Sequence, residues 1–258
     1  MTENKSVIID SHCHLDFMQF DTDREQVLQR CRENGISDIV VPGVCRSNWS
    51  KQIKLCEAND ELHFGLGLHP LFLARHELSD IDELARQSKL TPPVAIGEIG
   101  LDFFDKSLSR EKQKMFFERQ LELAQALGLP VILHVRKAHD DTLKILQSFS
   151  LCGGIVHAFN GTLDQAYRYM DLGFKLGFGG MLTFARSRKL QTLVKSLPID
   201  SLVLETDAPD MTVASHRGER NSPEYLPECL EAMASLREES VFYIAEKTSA
   251  NSREILCI

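Results

Sequence analysis

Eight short apolar runs separated by longer amphipathic stretches restrict the fold of this chain more than any other feature. The runs span 7–10, 38–42, 63–68, 94–97, 131–135, 154–157, 174–177 and 202–205. Runs such as VILHV (131–135) and LVLE (202–205) barely alternate, as expected of parallel strands covered on both faces. Between them lie segments with helical periodicity at 22–34, 47–58, 79–89, 109–127, 138–149, 162–172 and 187–196, and two more, 223–237 and 239–256, follow the last run. Gly35 and Gly128 stand where helices would stop, because glycine enters left-handed backbone without penalty. Pro130 opens the fifth run, where a missing amide is tolerated. Strand–helix alternation over the 258 residues predicts an α/β fold, a (β/α)8 TIM barrel forming a single domain over 1–258. The rival is an open doubly wound sheet, but the chain has neither G-x-G-x-x-G nor a P-loop.

Six residues with metal-ligating side chains fall where these strands end: His12 and His14 in DSHCHLD (10–16), Glu98 in GEIGLD (97–102), His134 in VILHVR (131–136), His157 in GIVHAF (154–159) and Asp207 in LETDAP (204–209). Strand ends converge on one face of a parallel barrel, so residues far apart in the chain form one site. His12 and His14, two apart on a strand, project to the same side, and Asp10 shares their parity. Asp16 could orient a ligand from behind. Glu98, following its run, can bridge two ions through its two oxygens. Imidazole and carboxylate without thiolate suit two divalent ions, Zn²⁺, Mn²⁺ or Mg²⁺. Such a pair generates a nucleophile from water near neutral pH, and Asp207 is the candidate to take the water proton, with Glu98 the second catalytic carboxylate. Cys13 between the histidines would face the opposite side.

For the substrate, the loops after the last two strands offer Arg186, Arg188 and Lys189 in GFGGMLTFARSRK (177–189) and Arg217, Arg220 and Asn221 in ASHRGERNSP (214–223). Arg136 shares parity with His134. These groups could pair with a phosphate oxygen, and His69 in GLGLHP reads as substrate-facing. His63 begins a strand, at the far end of the barrel, and His76, His139 and His216 have no persuasive context. Trp49 and the phenylalanines at 116, 117, 149 and 242 read as core.

The net charge of −8 argues against non-specific coating of nucleic acid, which needs broad phosphate neutralisation. Bound ions and local cations can still hold one phosphate. Seven cysteines without C-x-x-C spacing indicate free thiols in a reducing compartment. No secretory signal or membrane-length apolar stretch is visible, so a cytoplasmic enzyme is expected, with no membrane association and no predicted protein partner.

At these residues the chain resembles the TatD family of metal-dependent hydrolases and deoxyribonucleases, part of the amidohydrolase-like superfamily. The likeness runs nearly end to end through DSHCHLD, GLHP (67–70), GEIGLDFF (97–104), HVRKAHD (134–140), HAFNG (157–161), ETDAPDM (205–211), RNSPE (220–224) and Ala245, Thr248, Asn251 and Arg253. ETDAPDM after GFGGMLTFARS is similar to the YjjV-like branch. The resemblance implies one ion on His12, His14, Glu98 and Asp207 and a second on Glu98, His134 and His157. It also implies ester hydrolysis, with 3′-to-5′ deoxyribonuclease activity on DNA, or RNA, ends leading. The chain departs from the family at Phe103 and Phe104, where tyrosines are common, at Asn160, where a small polar residue is usual, and at Asp210. There a negative charge replaces an aromatic platform on which a base could stack. Asp210, scarce exposed aromatics and the acidic charge favour the alternative, a small ester, lactone or amide substrate with no nucleic acid, while the Arg/Lys grouping after the last two strands and the family favour the nuclease.

Overall fold

The computed structural model describes residues 7–258. Its strands are β1 (Ile8–Asp10), β2 (Ile36–Val41), β3 (Leu62–Leu66), β4 (Ala95–Asp102), β5 (Val131–Arg136), β6 (Gly154–Val156), β7 (Phe174–Phe178) and β8 (Leu202–Leu204). Each pairs in parallel with the next. The helices are α1 (Arg24–Glu33), α2 (Arg46–Glu57), α3 (Ser79–Leu90), α4 (Arg110–Leu127), α5 (His139–Leu146), α6 (Leu163–Asp171), α7 (Arg188–Ser196), α8 (Leu226–Arg237) and α9 (Val241–Leu256). The chain is therefore a nearly closed (β/α)8 barrel. No ladder joins β8 to β1. Hydrogen bonds from Ser11 N to Leu204 O (3.0 Å) and from Asp207 N to His12 O (2.8 Å) close that seam instead. Among the described residues no helix is long and apolar enough to cross a membrane.

The two faces of the strands explain their apolar runs. Outward side chains such as Leu66, Leu101, Leu133 and Leu204 pack against helix residues including Phe117, Leu121 and Leu230. The barrel interior holds a smaller cluster of Val40, Ala95, Ile132, Ile155 and Val203, joined by Leu256 from the end of α9. Each buried Val, Ile or Leu contributes ~1.5–3 kcal/mol relative to exposure. Helix ends follow local chemistry. Ser109 accepts from Lys112 N to start α4, Gly128 ends it at φ 65°, and Thr162 and Gln165 form a reciprocal cap on α6.

β4 differs from its sequence expectation. It runs on to Asp102, with all eight residues buried and a register shift between Ile96 and Ile99. Glu98 thus lies inside the strand rather than after it. Gly100, at φ 142°, makes this possible, because a Cβ there would stand 2.1 Å from His134 O. His12 and His14 lie beyond β1, yet Cys13 N still bonds to Val40 O, and the two imidazoles meet on one side while Cys13 packs in the core. Phe242, expected in the core, is 56% exposed on α9, and Phe149 only packs against the core from its edge.

Candidate metal centre

Glu98 is the hub of the site. It is 1% exposed, and its two oxygens face different partners. Oε2 lies 3.2 Å from His12 Nε2 and 3.4 Å from His14 Nε2. Asp207 Oδ1 completes this side, 3.5 Å from His12 Nε2 and 3.7 Å from His14 Nε2. Oε1 lies 3.0 Å from His134 Nδ1 and 3.0 Å from His157 Nε2. The structure therefore brings all six sequence candidates together, His12, His14 and Asp207 on one side of Glu98 and His134 and His157 on the other.

The donor spacing fits metal ions. Two donors bound at ~2.1 Å to a tetrahedral ion stand about 3.4 Å apart. His12 Nε2 and His14 Nε2 are 3.3 Å apart, and His134 Nδ1 and His157 Nε2 are 3.4 Å apart. Among the described residues Glu98 Oε2 has no hydrogen-bond partner although it is buried. The charge balance also favours cations. Burial alone would raise the Glu98 carboxyl, but His69, His157 and His12 around it hold it well below its ordinary value. Burial opposes charge on His157, yet Glu98, Asp207 and Glu205 carry its pKa up to about 10.

The TatD related DNase family model matches residues 9–256. The chain belongs to the TatD family of metal-dependent hydrolases. Among TatD relatives, the uncharacterized metal-dependent hydrolase YjjV of Escherichia coli K12 is 39% identical over 95% of each chain. The uncharacterized metal-dependent hydrolase YabD of Bacillus subtilis is 36% identical over 98% of this chain and 100% of its own. The crystal structure of the E. coli YjjV TatD homologue superposes with a TM-score of 0.94 at 38% identity, over 97% of this chain and 98% of that one.

Three buried carboxylates of this TatD site stand behind its ligating candidates. Asp102 Oδ2 lies 3.0 Å from His134 Nε2 and leaves Nδ1 to face Glu98. Asp10 accepts from His12 N and from Thr206. Glu205 accepts from Ala158 N at 2.6 Å and sits 3.8 Å from His157 Nδ1. Burial pushes the Glu205 carboxyl up to about 8. Its slot exists because residue 177 is glycine, since a Cβ there would stand 2.1 Å from Glu205 Oε2. The sequence reading missed Asp102 and Glu205. Asp102 shares parity with Glu98, and Glu205 with the inward Val203, and that signal could have found them. Asp16 is buried, and it makes no hydrogen bond to His14 among the described residues.

His69 lines the cavity and also touches Glu98. Its Nδ1 accepts from Leu71 N (3.0 Å), so neutral His69 carries its proton on Nε2 and donates to Glu98 Oε1 at 3.0 Å. Burial lowers its pKa to about 4, keeping it neutral. His76 supports it through a 2.9 Å bond from Nε2 to His69 O, a context invisible in sequence. His139 is buried between Tyr169 and Asn160, and His63 pairs with Asp38 at 2.8 Å. Cys13 is fully buried in the core and belongs to none of the possible ligand groups.

The cavity over the site measures about 640 Å³, and Phe17, Phe72, Phe178, Met181, Leu182 and Met211 make much of its wall apolar. Arg136, Asn160 and Asp210 supply polar groups. The Arg136 guanidinium lies 3.8 Å over the Phe104 ring. Phe103 is instead buried, with Arg110 4.5 Å above its ring. Arg186 and Arg220 do not line this cavity. Arg186 is exposed, and Arg220 is held by Asp23 at 2.7 Å and Gln19 O at 2.7 Å. Arg220, expected to bind substrate, is engaged in a loop contact in this structure.

Proposed function

We propose that the protein hydrolyses an ester bond with two divalent ions, Zn²⁺, Mn²⁺ or Mg²⁺, and that the 3′ end of single-stranded DNA is its leading substrate. The observation that carries this reading is Glu98, with Oε2 turned to His12 and His14 and Oε1 to His134 and His157. Ions held there, when bound, supply nucleophilic water near neutral pH and stabilise developing negative charge. His12, His14 and Asp207 would hold one, His134 and His157 the other, and Glu98 both. Asp207 lines the cavity and is placed to accept the proton of the attacking water. His69 donates to Glu98 and fixes that carboxylate's orientation. Arg136, at the cavity wall, can donate to a phosphate oxygen. The seven cysteines are free, and we place the reaction in a reducing cytoplasm.

A second reading has its own support. The cavity wall is largely apolar, Asp210 adds a negative charge, and two of the proposed phosphate-binding arginines lie outside. These features suit a small ester, lactone or amide. The test is a 5′-labelled single-stranded oligonucleotide incubated with stripped protein reloaded with Mg²⁺, Mn²⁺ or Zn²⁺. The nuclease reading predicts stepwise shortening that Glu98→Ala abolishes. No shortening with any metal, while two ions are bound, would overturn it in favour of the small substrate.

A further inference from the structure

Asp10 ends β1, is fully buried, and takes no part in the chemistry proposed above. Its Oδ1 accepts from His12 N at 3.2 Å and from Thr206 N at 2.9 Å. Its Oδ2 accepts from Thr206 Oγ1 at 2.5 Å, and that hydroxyl accepts from Ala208 N at 3.3 Å. One carboxylate therefore ties the start of the His12–His14 loop to both sides of Asp207.

The location gives these bonds their weight. Ser11 N bonds to Leu204 O, and a parallel ladder continuing from there would bring Thr206 N to the Ser11 carbonyl. Thr206 N meets the Asp10 side chain instead. Beyond this point two more bonds cross the seam, Asp207 N to His12 O (2.8 Å) and His14 N to Ala208 O (2.8 Å). Asp207 itself sits at φ 57°, left-handed backbone that is uncommon outside glycine, though aspartate enters it more readily than most residues. The His134–His157 side is built differently, with Asp102 and Glu205 behind it and no break in strand pairing. Its ladder carries through to the ligating residues, with His157 N bonded to Leu133 O at 3.1 Å.

We propose that Asp10 is a positioning residue for one ion only, the one held by His12, His14 and Asp207, because it sets the separation of the two loops that carry them. The proposal rests on the two-ion reading. Removing Asp10 loosens the 3.5 Å and 3.7 Å spacings from His12 and His14 to Asp207 and leaves His134 and His157 in place.

The experiment measures Mn²⁺ bound per chain after dialysis, together with the Mn²⁺ magnetic resonance spectrum, for wild type, Asp10→Ala and Asp10→Asn. Two ions in the wild type uphold the parent reading, and fewer would overturn that reading before Asp10 is considered. Asp10→Ala is expected to keep one ion tightly, to bind the second about 10–100-fold more weakly, and to show an isolated ion in place of a coupled pair. Asp10→Asn keeps Oδ1 as acceptor for both amides and is expected to hold two ions. If Asp10→Ala does not fold, Thr206→Val removes only the hydroxyl bonds and should weaken the same ion about threefold to tenfold. Unchanged binding of two ions in Asp10→Ala, or in Thr206→Val when it stands in, would overturn the proposal. So would equal weakening of both ions, or an Asp10→Asn protein as impaired as Asp10→Ala.

Discussion

His134 and His157 stand at the ends of neighbouring strands, β5 and β6, whose ladder pairs Val131 with Gly154 and Leu133 with Val156. Behind them lie Asp102 and Glu205. His12, His14 and Asp207 stand on two loops that meet where strand pairing has stopped, tied by backbone bonds and one buried carboxylate. The pair inherits its geometry from the barrel, and the trio is assembled across the gap in it. Both turn to the same carboxylate. The contrast teaches that convergence of strand ends gives a site its location, while buried side-chain bonds give its less supported half its shape.

Replacing the shared residue should erase the difference between the halves. Glu98→Ala is expected to lower the rate by ~10³-fold or more and to leave neither ion tightly held, since each relies on one of its oxygens. Steady-state rates and ion counting check this, and one ion still tightly held would show that the halves are not joined through Glu98. Asp207→Asn should cost about 10²–10⁴-fold in rate, the usual range for a lost proton acceptor, while the His134–His157 ion stays bound. A rate within threefold of wild type would remove Asp207 from the chemistry. Asp102→Asn should weaken only the His134–His157 ion, by about 10–100-fold. Calorimetric titration of stripped protein would show this as one shifted binding step, and a shift in the other step would contradict the division.

The smallest effect concerns pH. Burial raises Glu205 from its ordinary 4.5 to about 8. Below 4.5 the group is protonated whether the chain is folded or not and costs nothing. As pH rises from there to about 8, the unfolded chain releases this proton and the folded one keeps it, so stability falls and then levels. Thermal unfolding of metal-stripped protein should therefore show wild type losing ground to Glu205→Gln between pH 5 and 8. Parallel curves would mean that folded Glu205 is already ionised.

Sequence and structure agree most closely where one side chain type carries the signal. Apolar runs located all eight strands, each within a residue or two at its start, because burial on both faces leaves little freedom in composition. The runs failed at β4, where Glu98, Gly100 and Asp102 read as loop residues and are buried strand residues around a bulge. The six clustered residues were legible as ligating side chains at the ends of apolar runs. Their supports were less so: parity marks Asp102 and Glu205 as inward, but what they meet, His134 on β5 and the slot at Gly177 on β7, shows only in space. Arg220 shows the converse. Its neighbours in sequence suggested a phosphate, while its partner in space is Asp23, 197 positions away.

The most direct test of the shared-carboxylate site is anomalous X-ray diffraction from crystals loaded with Mn²⁺ or Zn²⁺. The account predicts two peaks about 3.5–4 Å apart, one among His12, His14 and Asp207, the other beside His134 and His157, with Glu98 between them. A single peak under saturating metal, or a second peak away from Glu98, would contradict it.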